Sequence, residues 1–146
     1  HKTMEQAQDT KYKQKHGKLP IENGVDIISV CGTSFARFLE IAKKLKTEVL
    51  IIPDNDKKSS NRLIKYAAFT SDTIKLAMST DDTLFTLEKI LIHCNGKDKL
   101  NRILGKSYAT DEDLLHYMSE NKADCALAIF KSAEAIAYID EVQNAL

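Results

Sequence analysis

Short apolar runs separated by helical patterns constrain the fold of this chain most. Residues 26–31 and 48–52 are rich in β-branched side chains, and each run is stopped by turn residues, so both predict buried strands. Residues 73–78 predict a third strand. A helical pattern at residues 33–46 separates the first two strands, and a short one through Leu63, Ile64 and Ala67 separates the second and third. This order predicts βαβ units and a parallel sheet.

The second half of the chain is predicted to be helical, at residues 82–94, 98–104, 111–120 and 123–135. Thr110 with Asp113 resembles a capping box, and Gly105 is expected to end the preceding helix. A further exposed helix is predicted at residues 3–17, ending at Gly17. We expect the α/β class, with a small parallel sheet flanked by helices, in one domain of residues 1–146. Residues 16–80 would form its α/β core, and residues 81–146 would be mainly helical.

Charge, cysteine spacing and the length of apolar runs limit which partners and which compartment the chain can have. Lys and Arg together number 21, as do Asp and Glu, so the formal net charge is zero. Any contact with DNA must therefore come from local patches or from another part of a larger protein. Three widely spaced cysteines indicate reduced thiols in a cytoplasmic protein. No apolar run reaches about 18 residues, so no membrane partner is expected.

The most informative motif is acidic and follows the second predicted strand. Asp54 and Asp56 flank Asn55, and ligands of open parallel sheets bind outside the carboxyl ends of the strands. In extended chain, two residues placed two apart point to the same side, so both carboxylates could converge on one ion. Mg²⁺ favours such oxygen ligands. The alternative, that these residues simply form a turn, stays open.

Two further candidates lie in the helical half. Glu88 falls on the apolar face of the helix predicted at residues 82–94, where a carboxylate costs free energy unless it is paired or bound to metal. The alternative is a carboxylate at the edge of that face that reaches solvent. Lys122 lies in a polar junction between two helices, where a solvated charge or a helix-capping partner is the ordinary interpretation.

Four segments, at residues 24–35, 54–56, 86–88 and 121–127, resemble the Toprim domain of OLD-family (overcoming lysogenization defect) ATP-dependent endonucleases. That family includes nuclease subunits of some anti-phage defence systems. The resemblance implies hydrolysis of DNA phosphodiesters with Mg²⁺ or Mn²⁺. It implies Asp54, Asp56 and Glu88 as metal ligands, with Glu88 also catalytic, and Lys122 as the catalytic cation that stabilises charge on the phosphate or the leaving group.

The chain also departs from the family pattern. No apolar strand ending in glutamate precedes residue 24, Pro53 lacks an amide that a central strand needs, and Lys57 stands where glycine is common. We therefore expect weak metal binding and little or no DNA cleavage.

Two functions follow from the resemblance. The first is an endonuclease or nickase domain that works with the ATPase region of a parent protein, and the second is a non-catalytic Toprim-like binding or assembly module. A start at Met4 favours the second, and a trimmed fragment favours the first. A phosphoacceptor domain is a third alternative, and assembly into a homo-oligomer is left open.

Overall fold

The computed structural model describes residues 9, 12–13, 15–26, 28 and 35–144. The strand predicted at residues 26–31 lies outside the described residues except for Asp26 and Ile28. Cys31 and the predicted helix caps Thr33 and Ser34 also lie outside them. Of the helix predicted at residues 3–17, the described part is helical up to His16. The Gly17 amide donates to the Lys13 carbonyl at 2.8 Å, as expected for a glycine that ends a helix.

The described elements alternate as the sequence predicts and then become helical. In chain order they are a 3-10 helix Pro20–Asn23, α1 Phe35–Leu45, β1 Val49–Ile51, α2 Ser59–Ala67, β2 Ile74–Leu76, α3 Leu87–Asn95, α4 Lys97–Leu104, α5 Asp111–Glu120, α6 Lys122–Lys131 and α7 Asp140–Gln143. The α/β class with a helical C-terminal portion is therefore confirmed.

Strands β1 and β2 pair in parallel, with Val49 opposite Ile74 and Ile51 opposite Leu76. Hydrogen bonds continue past both ends of the pairing, from the Val49 amide to the Thr73 carbonyl at 2.8 Å and from the Ala77 amide to the Ile51 carbonyl at 2.9 Å. The carboxyl ends of both strands therefore lie at one edge of the sheet, as the βαβ pattern predicts.

The chain divides into two compact units. The sheet unit consists of Val30–Thr86 and Ile139–Ala145, and the helical unit consists of His1–Ser29, Leu87–Tyr138 and Leu146. In the sheet unit, Leu39, Ile51 and Ile74 form a buried apolar cluster between α1 and the two strands. The prediction of one domain, with its core at residues 16–80 and helices at 81–146, stays a prediction.

The helical unit is built by α3 to α6, which pack against one another. Its buried apolar residues include Leu91, Leu100, Leu114, Met118, Ala126 and Ile129. Helix α5 begins at the predicted cap, because the Asp113 amide donates to Thr110 Oγ1 at 3.1 Å and that hydroxyl donates to Asp113 Oδ2 at 2.7 Å. Gly105, with φ of 64°, ends α4 as expected.

Two predicted helices are shorter than the sequence suggested. Helix α3 begins at Leu87 rather than at residue 82, because the Asp81 carboxylate accepts from the Thr83 amide at 2.8 Å and holds a local turn instead. Helix α6 ends at Lys131 rather than at residue 135. There Ser132 Oγ accepts from the Glu134 amide at 3.0 Å, a local bond that also competes with the helix.

Candidate functional site

Residues 54–57, which we call the acidic loop, leave the sheet at the carboxyl end of β1. Asn55 is its buried residue, with 1 % of its surface exposed. Its Nδ2 donates to the Ser79 carbonyl at 3.1 Å and to the Asp81 carbonyl at 2.8 Å, both in the segment that follows β2. Its Oδ1 accepts from the Lys57 amide at 3.0 Å. The Asn55 side chain therefore connects the ends of the two parallel strands.

A further hydrogen bond connects the start of α2 to the segment after β2. Asp82 Oδ1 accepts from the amide of Ser59, the first residue of α2, at 2.9 Å. A carboxylate at a helix N-terminus satisfies an amide that has no partner within the helix and is favoured by the helix dipole. The acidic loop is thus held against the segment after β2 at Asn55, and the start of the helix that follows the loop is held there at Ser59.

The backbone of the acidic loop is a turn and not extended chain. Asp56 has φ of 52° and Lys57 has φ of 59°, both in the left-handed region. The Lys58 amide donates to the Asn55 carbonyl at 2.9 Å and closes the turn. Our premise that Asp54 and Asp56 lie in extended chain was therefore wrong, because the Asn55 side chain bonds the backbone two residues on and favours a turn. Lys57, where the Toprim resemblance leads us to expect glycine, has a glycine-like backbone conformation.

The charged side chains of the loop have defined partners. The Asp56 carboxylate forms an ion pair with the guanidinium of Arg62, one turn into α2. The ammonium of Lys57 lies 4.4 Å from the centroid of the Phe85 ring, a cation–π contact. Asp54 is half-buried. The loop therefore presents two carboxylates with different surroundings, one half-buried and one exposed beside an arginine.

The donor chemistry of the acidic loop suits a hard divalent cation. Carboxylate oxygens are the preferred ligands of Mg²⁺, which takes one or two of them and keeps several waters. The positively charged guanidinium of Arg62 lies beside the Asp56 carboxylate, where a metal ion would bind. Within the described ranges, no group of three or more His, Cys, Asp and Glu side chains is arranged to hold a metal. The predicted roles of Asp54 and Asp56 as metal ligands stay a prediction.

Glu88 and Lys122, the other predicted site residues, meet inside the helical unit. Lys122 Nζ lies 2.9 Å from Glu88 Oε1, and 54 % of the lysine side chain is exposed against 7 % of the glutamate. Glu88 lies in the first turn of α3, where the helix dipole favours an anion. The structure thus provides the partner that a carboxylate on a buried face requires. The catalytic role of both residues, and that of Glu88 as a metal ligand, stay predictions.

Cys125 follows one turn after Lys122 and is buried, with 3 % of its surface exposed. The pKa of its thiol is raised to about 11, chiefly by burial and to a smaller extent by the carboxylates of Asp124 and Glu88, while Lys106 acts in the opposite direction. A thiol with such a pKa stays protonated at neutral pH and is a poor nucleophile. Cys125 therefore belongs to the packing of α6.

Two residues of this region were missed by sequence reasoning. In the acidic motif Asn55 is only the spacer between two aspartates, although an asparagine in a turn that follows a buried strand is a common source of side-chain bonds to backbone. Arg62 belongs to a short helix that the sequence predicts from its apolar residues alone. Its position six residues after Asp56, one turn into that helix, was the available signal.

Together these features define an α/β protein with an acidic turn at the carboxyl edge of a parallel strand pair. Residues 5–56 match the family model described as "Overcoming lysogenization defect protein-like, TOPRIM domain". The predicted resemblance to the Toprim domain of OLD-family proteins is therefore confirmed over this segment, which ends at Asp56. No curated protein and no solved structure matches the chain. The motifs at residues 86–88 and 121–127 lie beyond the matched segment, and their resemblance stays a prediction.

The family matched by residues 5–56 is of the Toprim nuclease type, a class that generally binds a divalent metal and interacts with DNA. In the part of the chain that the structure describes, no helix is both long and apolar enough to cross a membrane.

Proposed function

We propose that this chain is the Toprim domain of an OLD-like DNA endonuclease or nickase, and that its own hydrolytic activity is weak. The observation that carries the proposal is the acidic loop at the carboxyl end of β1, where Asp54 and Asp56 flank a buried asparagine, at the end of the segment that matches the family. Ligand sites of parallel sheets lie at this edge. A cytoplasmic location, where DNA is accessible, is part of the same proposal.

Asp54 and Asp56 would hold Mg²⁺ or Mn²⁺ through their carboxylates. The ion, when bound, would supply positive charge at a phosphate and lower the pKa of a bound water. Asn55 keeps the loop against the segment after β2 by its bonds to Ser79 and Asp81. Asp82 holds the start of α2 in the same way.

Basic residues of the acidic loop and of the helix that follows it would contact DNA. Lys57, Lys58 and Lys65 are exposed, and Arg62 is half-buried. Contacts of lysine and arginine with phosphates supply most sequence-independent affinity for DNA. Such a local patch is consistent with a chain whose formal net charge is zero.

Lys122 is the proposed cation for the phosphate or leaving group, and Glu88 is the proposed further metal ligand and catalytic residue. The lysine is half exposed, so its ammonium is accessible as a point charge. Its ion pair with Glu88 opposes both roles, because each charge is partly neutralised by the other. This ion pair and the one between Asp56 and Arg62 support the proposal that hydrolysis is weak, because both neutralise charges that the reaction needs.

The same ion pairs favour a second candidate function, a non-catalytic Toprim-like module that binds DNA or a partner without hydrolysis. An ATPase region of a parent protein would be such a partner. The two candidates differ in whether any phosphodiester is cut. Where the module binds DNA, both candidates use the acidic loop and the basic residues beside it.

Incubation of supercoiled plasmid with the 146-residue chain and Mn²⁺ tests the proposal. We expect Mn²⁺-dependent association with DNA and slow nicking, both reduced by Asp54→Ala and unchanged by Asp72→Ala, an exposed aspartate of the same unit. Association without nicking would favour the non-catalytic module. An Asp54→Ala protein that binds and cuts as the unchanged chain does would refute the proposal.

A further inference from the structure

We infer that Asn55 is the positioning residue of the acidic loop, which fixes how Asp54 and Asp56 are presented to a divalent ion. The inference rests on the proposed function, because it assigns a role in the same site. Asn55 itself has a buried side chain whose oxygen faces the Lys57 amide. We therefore assign it a role through its neighbours and not as a metal ligand.

The hydrogen bonds of Asn55 use both the donor and the acceptor end of its carboxamide. Two donors on Nδ2 serve the carbonyls of Ser79 and Asp81, and one acceptor on Oδ1 serves the Lys57 amide. Aspartate has no donor when ionised, and glutamine places the same groups one methylene farther out. Asparagine is therefore the residue whose polar groups fit this site.

The bonds of Asn55 support the turn itself and also attach it to the segment after β2. The bond to the Lys57 amide supports a backbone in which Asp56 and Lys57 are left-handed, a conformation that costs residues other than glycine free energy. The bonds to Ser79 and Asp81 tie this turn to the chain that follows β2. Without the carboxamide, the turn would lose both its internal support and its attachment to the neighbouring strand, and the flanking aspartates would sample other positions.

A titration of Mn²⁺, followed by water-proton relaxation, separates positioning from general stability. We expect Asn55→Ala to weaken Mn²⁺ binding by about tenfold or more, the usual effect of removing a group that orients metal ligands. The matched control is Asn101→Ala in the helical unit. Asn101 is also buried, and its amide exchanges hydrogen bonds with the Tyr108 backbone at 3.0 and 3.1 Å.

The outcomes are distinct. Weaker Mn²⁺ binding by Asn55→Ala, with unchanged binding by a comparably destabilised Asn101→Ala, supports positioning. Equal Mn²⁺ affinities for Asn55→Ala and the unchanged chain overturn the inference and leave the proposed function intact. Binding of no Mn²⁺ by the unchanged chain overturns both.

Asn55→Ser, which keeps one hydroxyl donor, is the second variant if Asn55→Ala does not fold. Intermediate Mn²⁺ affinity in a folded Asn55→Ser protein supports the inference, and unchanged affinity overturns it. If neither variant folds, the inference is also overturned, because Asn55 would then hold the whole sheet unit together.

Discussion

Lys122, at the start of α6, forms an ion pair with Glu88, whose carboxylate is buried in the first turn of α3, 34 residues earlier in the chain. The pair brings together two residues that the Toprim resemblance assigns to separate tasks. It also explains how a carboxylate is accommodated on the buried face of a helix, since an unpaired charge there would be costly.

We predict that Lys122→Met destabilises the helical unit by about 1–3 kcal/mol, because it leaves the Glu88 carboxylate buried without its partner. Urea unfolding followed by circular dichroism measures the change. The double variant Glu88→Gln with Lys122→Met should recover part of the loss. Lys131→Met, at the exposed end of the same helix, is the control. An equal effect of Lys122→Met and Lys131→Met would show that the ion pair contributes nothing.

Arg62→Gln is expected to tighten Mn²⁺ binding about two- to fivefold. The arginine neutralises Asp56, and an exposed pair of this kind contributes up to about 1 kcal/mol, which a metal ion must overcome. Calorimetric titration of Mn²⁺ measures the affinity, with Arg37→Gln on α1 as the control. Weaker binding by Arg62→Gln would mean that the guanidinium supports the site and does not compete with the ion.

Lys46→Gly should stabilise the sheet unit by about 1 kcal/mol. Lys46 follows α1 with φ of 54°, and the Thr47 amide closes the helix end by donating to the Ala42 carbonyl at 3.0 Å. Glycine is favoured at this position because it lacks a Cβ. Thermal unfolding measures the effect. Lys44→Gly, two residues earlier and inside the helix, should instead destabilise by about 1 kcal/mol. Changes of the same sign would contradict the left-handed conformation of Lys46.

The raised pKa of the Cys125 thiol predicts that the free energy of unfolding changes with pH in the alkaline range. Burial, together with the nearby carboxylates of Asp124 and Glu88, raises its pKa from an ordinary value of 9.0 to about 11. Between these values the unfolded chain loses this proton while the folded chain keeps it, so the contribution of the thiol to stability falls as pH rises. The free energy of unfolding of the unchanged chain, relative to Cys125→Ala, should therefore decrease from pH 9 to pH 11. A difference that stays constant over this range would contradict the raised pKa.

Local patterns in the sequence were sufficient for most of the described elements. The apolar runs around Ile51 and Ile74 form strands, and Thr110 and Gly105 mark helix ends, because each signal acts within a few residues. Of the two interpretations that the sequence leaves open for Glu88, the buried face is the one observed. The partner of Glu88 was not found, because the spacing between Glu88 and Lys122 carries no local periodicity and the contact depends on how α3 and α6 pack.

The acidic loop shows where local reasoning failed. The motif is recognised by two charged residues, Asp54 and Asp56, placed two apart. The geometry of the turn depends instead on Asn55, the neutral residue between them. The partners of Asn55, Ser79 and Asp81, lie more than twenty residues away and are brought near by the parallel pairing of β1 and β2. Arg62 reaches Asp56 because α2 begins directly after the turn.

Calorimetric titration of Mn²⁺ into the unchanged chain, Asp54→Ala and Asp72→Ala tests the central claim most directly. If the acidic loop holds the ion, the unchanged chain and Asp72→Ala bind Mn²⁺ with the same affinity, and Asp54→Ala loses about tenfold or more. Equal affinities for all three proteins would contradict the account, because the ion would then be bound without the loop.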